Sequence, residues 1–331
     1  MEPRTTCRRA SVLLALLLSG SLLTTTSEAA PATSAVDQVV SLVAGSASIT
    51  TVSRAVLSAL PSASADFSGR KYPAKLPAEA LTACLTATAC VYGKTTSKRV
   101  VVLYGDSHAL MWLPALVPLA STLGVKLVLL WEGMCPPGRL SVYGPSFGLP
   151  ASCDTNRPKM ISVIVGLHPA LVILSESTQT NQAPSNTPFT VEQWRRGLVT
   201  SIQQIRSTDT KVAILEDIPA FNQAVPRCLA ANLTSVARCR ITYPNLQRPG
   251  LVAAEIAAAS DTKSTFVPTH QFFCASAKCF PIIGSMITYV DDNHVSFTYA
   301  KYLSAVMLEE LSPLLANCDR FNIVELRQWP W

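Results

Sequence analysis

The sequence predicts an α/β fold, with a mostly parallel sheet covered by helices on both faces. Two observations carry that prediction. From Lys98 onward, short apolar runs rich in β-branched residues alternate with helical segments, and such alternation builds parallel sheets through helical crossovers. Apolar residues make up 49% of the 331, enough for a sizeable core and too many for a disordered chain.

Arg99–Tyr104 reads as the first strand and Ala109–Leu123 as a helix, in spite of Pro114 and Pro118. Lys126–Trp131 is the second strand, Pro158–Leu167 a helix and Ala170–Leu174 the third strand. Val191–Arg206 is the clearest helix. Trp194, Leu198, Ile202 and Ile205 recur there at helical spacing, and Thr190 with Gln193 offers a capping box. Val212–Leu215 is a fourth strand, Leu251–Ala259 a helix, Phe266-Val267 a fifth short strand, and a last helix runs from Ser296 to about Leu311. No internal repeat is visible.

The N-terminal part differs. Arg4, Arg8 and Arg9 precede an apolar run from Ser11 to Leu23, with small residues near Ala29 beyond it. A basic flank, a short apolar stretch and small residues fit a secretory signal over residues 1–29. The run falls short of the ~20 residues that span a bilayer, so envelope association through an uncleaved segment is the alternative. Residues 30–70, rich in Ala, Ser, Thr and Val, are expected as an arm or linker with short helices at Ala35–Val43 and Arg54–Leu60. Residues 71–97 are irregular, the main domain is expected over 71–318, and 319–331 form a tail.

The net charge of +6 is mild, and no dense Lys/Arg run or aromatic-interleaved basic stripe occurs. Nucleic acid is therefore not an expected partner. The cysteines agree with a secreted or extracytoplasmic location. Cys7 falls within the expected signal. Beyond it, Cys84 and Cys90, Cys135 and Cys153, Cys228 and Cys239, and Cys274 and Cys279 fall into close sequential pairs, with Cys318 left over. In an exported chain such spacing favours disulfides. No C-x-x-C with nearby histidines is present, so no metal site is expected.

In open parallel sheets reactive groups gather beyond the carboxyl ends of the strands. "YGDSHALMW" places Ser107 there, directly after the first strand. A serine hydroxyl needs a base, and the base needs a partner that fixes its tautomer. His108 adjoins Ser107 and is expected to point away along the helix start. His168 precedes Pro169 at a helix end, where capping or a surface role suffices, and His270 reads as a satisfied core histidine. His294 differs, because in "YVDDNHVSFTYAKYL" Asp291 stands three residues before it. In a turn leading into a helix that spacing lets the carboxylate reach Nδ1 and leaves Nε2 for Ser107. Taken alone, Asp291-Asp292-Asn293 could equally be a polar turn capping the last helix.

Taken together, "GDSH" and "DDNH" resemble the SGNH (GDSL-like) hydrolase family, in the branch fused behind acyltransferase-three membrane proteins. Further matching blocks are "CVYG" at 90–93, "CPP" at 135–137, "CDTNRP" at 153–158 and "CFPIIGSMITYVDDNHVS" at 279–296. The resemblance implies a three-layer α/β/α sandwich of flavodoxin-like type. It also implies Ser107 as nucleophile, His294 as base and Asp291 as its orienting carboxylate, with no cofactor. The implied oxyanion donors are the Ser107 N–H, Gly133 in "WEGMC" and, after the third strand, Ser175. There "LSESTQTN" departs from the family's Gly-x-Asn-Asp block, and Asn181 is the only close asparagine.

The implied activity is that of an exported serine esterase or O-acyltransferase on O-acyl groups of an envelope glycan or a small ester. Only an export signal precedes the domain in this sequence, which favours esterase over transferase. The alternative is a catalytically silent carbohydrate-binding or accessory domain. A purely structural, disulfide-stapled envelope protein would leave the two blocks to chance.

Overall fold

At the centre of the fold lies β3 (Val100–Gly105), a strand whose residues are all buried. β4 (Lys126–Glu132) pairs with it on one side and β5 (Leu171–Ser175) on the other, both parallel. β6 (Lys211–Leu215) and β8 (Thr265–Val267) continue the parallel run, giving the order β4-β3-β5-β6-β8. Two short strands, β1 (Ala83–Cys84) and β2 (Val91–Gly93), add antiparallel to β4. The computed structural model describes residues 33–67, 83–140, 151–178, 189–206, 209–243 and 249–316. The segment expected as a signal, Asn181, Cys318 and the expected tail lie outside them.

Strand alternation divides the core into two layers. Val101, Leu103, Leu127, Leu129 and Ile173 face one side, packed by α1 (Ala35–Gly45), α3 (Ser107–Thr122), α8 (Phe297–Tyr302) and α9 (Ser304–Leu315). Val100, Val102, Tyr104, Val128, Leu130 and Val172 face the other side. There α4 (Ala151–Leu167), α5 (Val191–Ile205) and α7 (Pro249–Thr262) cover them. This is the three-layer α/β/α arrangement expected. α3 is apolar around most of its circumference and almost wholly buried, as a helix between sheet and α9 must be. α5 shows the opposite pattern, burying Trp194, Leu198, Ile202 and Ile205 on one stripe behind the Thr190–Gln193 capping box.

Three boundaries differ from expectation. α4 begins at Ala151 rather than Pro158, and its added turns carry Cys153, Asn156 and Arg157, all of which bond back to β4 or the segment after it. The last helix is two helices, meeting at Leu303. The segment expected as an arm is built into the domain. α1 and α2 (Arg54–Ala63) bury Val39, Val43 and Val56 against the core. Main-chain bonds also tie Val52 to Leu233, Thr50 to Val236 and Asp66 to Phe297.

Outside the main sheet, β7 (Ile241–Thr242), β9 (Cys274–Ala275) and β10 (Lys278–Cys279) form a small sheet. β11 (Ile282–Ile283) and β12 (Met286–Ile287) form a hairpin. Disulfides join Cys84 to Cys90, Cys135 to Cys153, Cys228 of the short helix α6 (Val225–Ala231) to Cys239, and Cys274 to Cys279. Among the described residues no helix is long and apolar enough to cross a membrane.

Candidate active site

The strand order reverses at β3, since the chain steps first to β4 on one side and then to β5 on the other. The crevice at such a switch point opens beyond the carboxyl ends of the two central strands. β3 ends at Gly105, Asp106 caps the next helix, and Ser107 is its first residue. The fold allows nothing larger than glycine at 105: a Cβ there would lie 1.8 Å from the Ser175 carbonyl oxygen. The close approach of β3 and β5 therefore fixes where Ser107 emerges.

The Asp106 side chain takes the His108 amide at 2.8 Å through Oδ1 and the Ser177 amide at 2.9 Å through Oδ2. The carboxylate thus bridges the segments after β3 and β5. Burial pushes its pKa above the ordinary value, against the pull of His108 and the two amides. Because the cap engages His108 rather than Ser107, the Ser107 N–H makes no hydrogen bond among the described residues.

His294 arrives from the turn before α8. Its Nε2 lies 2.9 Å from Ser107 Oγ and its Nδ1 2.8 Å from Asp291 Oδ2. Asp291 Oδ1 accepts the amides of Asn293 at 2.9 Å and His294 at 2.7 Å, so the carboxylate and the ring it orients belong to one closed turn. Partial burial works against the charged carboxylate. The His294 bond and charge and the two amides outweigh it and hold Asp291 below its ordinary pKa. Phe67, from the segment expected as an arm, meets the His294 ring edge-on at 5.2 Å.

Gly133 stands half-buried in the turn after β4. The turn is held by the Cys135 amide on the Glu132 carbonyl, by the Cys135–Cys153 disulfide and by buried Arg157 on the Pro136 carbonyl. Met134, beside Gly133, has a φ of 59° and is 51% exposed. Left-handed non-glycine residues are uncommon and costly, and they cluster at functional sites. Glu132, Cys135 and Cys153 come within 4.8 Å of one another, but the two sulfurs are joined and offer no thiolate to a metal.

Ser175 departs from expectation. It is 1% exposed, its hydroxyl has no hydrogen-bond partner among the described residues, and its carbonyl lies against Gly105. The amides farther along that loop are taken, Ser177 by Asp106 and Thr178 by Asp217 at 2.8 Å. His108 also departs. Instead of pointing away, its ring is buried beside His294 with Nδ1 2.5 Å from Asp217 Oδ1. His270 is half-exposed rather than in the core, bound at Nδ1 to Glu216 Oε2 at 2.7 Å and stacked on Tyr243 at 5.0 Å. His168 is exposed at the end of α4. Sequence reasoning missed Asp217, Glu216 and Phe67. The adjacent acids "LEDIP" ending an apolar strand were the available signal for the first two; nothing marked Phe67.

A strand-end serine bonded to a carboxylate-oriented histidine defines a class of ester-acting enzymes, the hydrolases and acyltransferases built on this sheet. Within that class the chain belongs to the family of SGNH domains fused to AT3 domains, whose model matches residues 76–309. Among solved structures the chain is similar to the periplasmic domain of the lipopolysaccharide acetyltransferase of Salmonella ser. Paratyphi A. Identity is 16% over 66% of this chain and 85% of that one, with a TM-score of 0.53. It is also similar to Est24, a carbohydrate acetylesterase from Sinorhizobium meliloti, at 14% identity over 65% of this chain and 99% of that one, with a TM-score of 0.43. No curated protein matches the chain.

Proposed function

We propose that the protein is an exported serine esterase or O-acyltransferase that acts on O-acetyl groups of a cell-envelope glycan through an acyl-serine intermediate. The observation that carries this reading is the Asp291–His294–Ser107 chain, with both links at hydrogen-bond length. Ser107 Oγ attacks the ester carbonyl carbon while its proton passes to His294 Nε2. The tetrahedral oxyanion is met by the Ser107 N–H and by the turn at Gly133; buried Ser175 takes no part. The alcohol leaves with the proton from His294, giving acyl-Ser107. Water or a sugar hydroxyl then gives its proton to His294 and takes the acyl group, and His294 Nε2 returns that proton to Ser107 Oγ, restoring the serine.

Export agrees with the four disulfides, which persist in oxidising compartments, and with the signal-like N-terminus. The acetyl and glycan parts are carried over from the named activity of the Salmonella neighbour, whose likeness to this chain is one of fold. The engaged amides of Ser177 and Thr178 favour the other reading, a catalytically silent carbohydrate-binding domain. Hydrolysis of an aryl acetate, then of O-acetylated envelope glycans, by wild type, Ser107→Ala and His294→Ala separates the two. The enzyme reading expects turnover lost in both folded variants. Glycan binding with no turnover in the wild type favours the silent domain.

A further inference from the structure

The acyl-transfer steps fix where the alcohol half of an ester must lie. As the ester C–O bond breaks, the alcohol oxygen takes its proton from His294 Nε2, so it stands within about 3 Å of that nitrogen. The carbon skeleton attached to the oxygen therefore lies beside the His294 ring. Among the described residues two rings meet that of His294, each with its centroid 5.2 Å away. His108 is 1% exposed and shut off from any substrate. Phe67 is only partly buried, so it alone of the two can touch the alcohol.

The Phe67 ring is held in that place. The turn after α2 is closed by the Ala65 amide on the Ser62 carbonyl at 3.0 Å and the Asp66 amide on the Ala63 carbonyl at 3.1 Å. Asp66 then grips the start of α8 twice, its carbonyl accepting the Phe297 amide and its Oδ2 the Thr298 amide at 3.1 Å. His294 leads into the same helix, so one helix end fixes both rings, which meet at 68°. Asp66 also lines a cavity of about 260 Å³ with Ser62, Ser285, Met286, Ser296 and Thr298. Its wall is rich in hydroxyls, and it lies one residue from Phe67 and two from His294 along the chain.

We propose that Phe67 is a specificity-determining residue of the acyl-transfer site: its ring is the platform for the sugar whose hydroxyl bears the acyl group, with that sugar's other hydroxyls turned toward the cavity beside Asp66. The inference rests on the reading of Ser107 and His294 as the acyl-transfer pair, and it names the half of the substrate that the site selects. A sugar ring has an apolar face of C–H groups, which packs on the electron-rich face of an aromatic ring, and edge hydroxyls that need polar partners. A partly exposed phenylalanine beside a hydroxyl-lined cavity offers both. A long apolar alcohol would leave the cavity's polar wall unpaired. With the proton path run in reverse, an acceptor hydroxyl gives its proton to His294 Nε2, so donor and acceptor sugars use the same platform. Water needs none.

The test compares two acetate esters in the full folded chain, an O-acetylated methyl glucoside and ethyl acetate, whose alcohol has no ring. kcat/KM is measured for wild type, Phe67→Leu, Phe67→Ala and Phe67→Trp. The expected fall in Phe67→Leu and Phe67→Ala is about tenfold greater for the sugar ester than for ethyl acetate, and Phe67→Trp restores the sugar ester. Phe67→Leu keeps apolar bulk and serves if Phe67→Ala does not fold. A role confined to propping the His294 ring lowers both esters equally. Equal falls, no fall, or a wild type that hydrolyses ethyl acetate but not the sugar ester overturns the proposal. Failure of wild-type Ser107 to label with a fluorophosphonate overturns the acyl-serine reading instead. Saturation-transfer NMR of the same sugar ester then decides the Phe67 contact. Binding is expected to weaken in Phe67→Leu; equal binding there, or none in the wild type, overturns it.

Discussion

Gly105→Ala is the change for which the structure gives the most definite magnitude. A Cβ at 105 would sit 1.8 Å from the Ser175 carbonyl oxygen, 2.9 Å from its carbon and 3.1 Å from Ala109 Cβ. The nearest atoms are backbone of a paired strand, so no side chain can turn aside. Opening that contact merely to 3.0 Å, below which real Cβ atoms essentially never approach, parts β3 and β5 by at least 1.2 Å. Overpacking usually costs about 1–3 kcal/mol, and a backbone clash belongs at or beyond the upper end. At roughly 2–4 °C per kcal/mol, Tm falls by about 6–12 °C. Because Ser107 is two residues on, a shift of about 1 Å also costs on the order of 100-fold in turnover of the molecules that stay folded. Thermal melts by circular dichroism and the rate of fluorophosphonate labelling at Ser107 read the two effects. A folded Gly105→Ala protein with unchanged Tm and labelling rate would refute the reasoning, since it would mean that β3 and β5 do not lock the nucleophile in place.

The same geometry sets other outcomes. Asp291→Asn keeps the shape of the turn but loses the acceptor that sets the His294 tautomer, so turnover falls about 10³–10⁴-fold while Tm changes little; steady-state kinetics beside melts check it. Glu255 is fully buried, and burial holds its folded pKa well above the ordinary 4.5, against a backbone hydrogen bond from Asp217. The native state therefore binds the extra proton, and stability declines as pH rises from about 4.5 toward the folded value. Glu255→Gln should raise the neutral-pH stability and flatten that decline, as denaturant unfolding at several pH values will show. His270 has its pKa raised, first by its bond to Glu216. Its contribution is full below about 6.5 and lost as pH rises through the folded value, so His270→Ala should destabilise more at pH 6 than at pH 9. Half-exposure limits the effect to about 1 kcal/mol. Replacing both Cys135 and Cys153 by serine opens a loop of sequence separation 18. The expected cost is about 3 kcal/mol in stability, with a fall in kcat because the Gly133 turn loses its tether.

Much of this site was legible in the sequence for physical reasons. A fully apolar β-branched run such as Val100–Leu103 has to be a central strand, and the residues just past its end have to lie at the sheet's rim. Asp291 and His294 could be paired because they share one turn, and local spacing constrains a turn tightly. The capping box at Thr190 was readable for the same reason. The features that escaped depend on distant pairing. Glycine at 105 reads as a turn residue until β5 is seen passing against it. The alternation of strands could not show that Asp217 reaches back across the sheet to His108. The two short helices within residues 34–67 were expected, but the Ala/Ser-rich composition hid their packing into the domain, because their apolar residues are small and few; Val39, Val43 and Val56 suffice to bury one stripe of each. Ser175 seemed a donor by its place after a strand. Its register opposite Gly105 puts it two residues short of the level of Ser107.

The central claim is that Ser107 carries the acyl group. The most direct measurement is mass spectrometry of the intact, disulfide-bonded protein quenched during turnover of an aryl acetate, with peptide mapping of any adduct. The expected result is an added acetyl group on Ser107, absent in Ser107→Ala and slow to form in His294→Ala. Turnover with no adduct on Ser107, or an equal adduct in the Ser107→Ala protein, would contradict it.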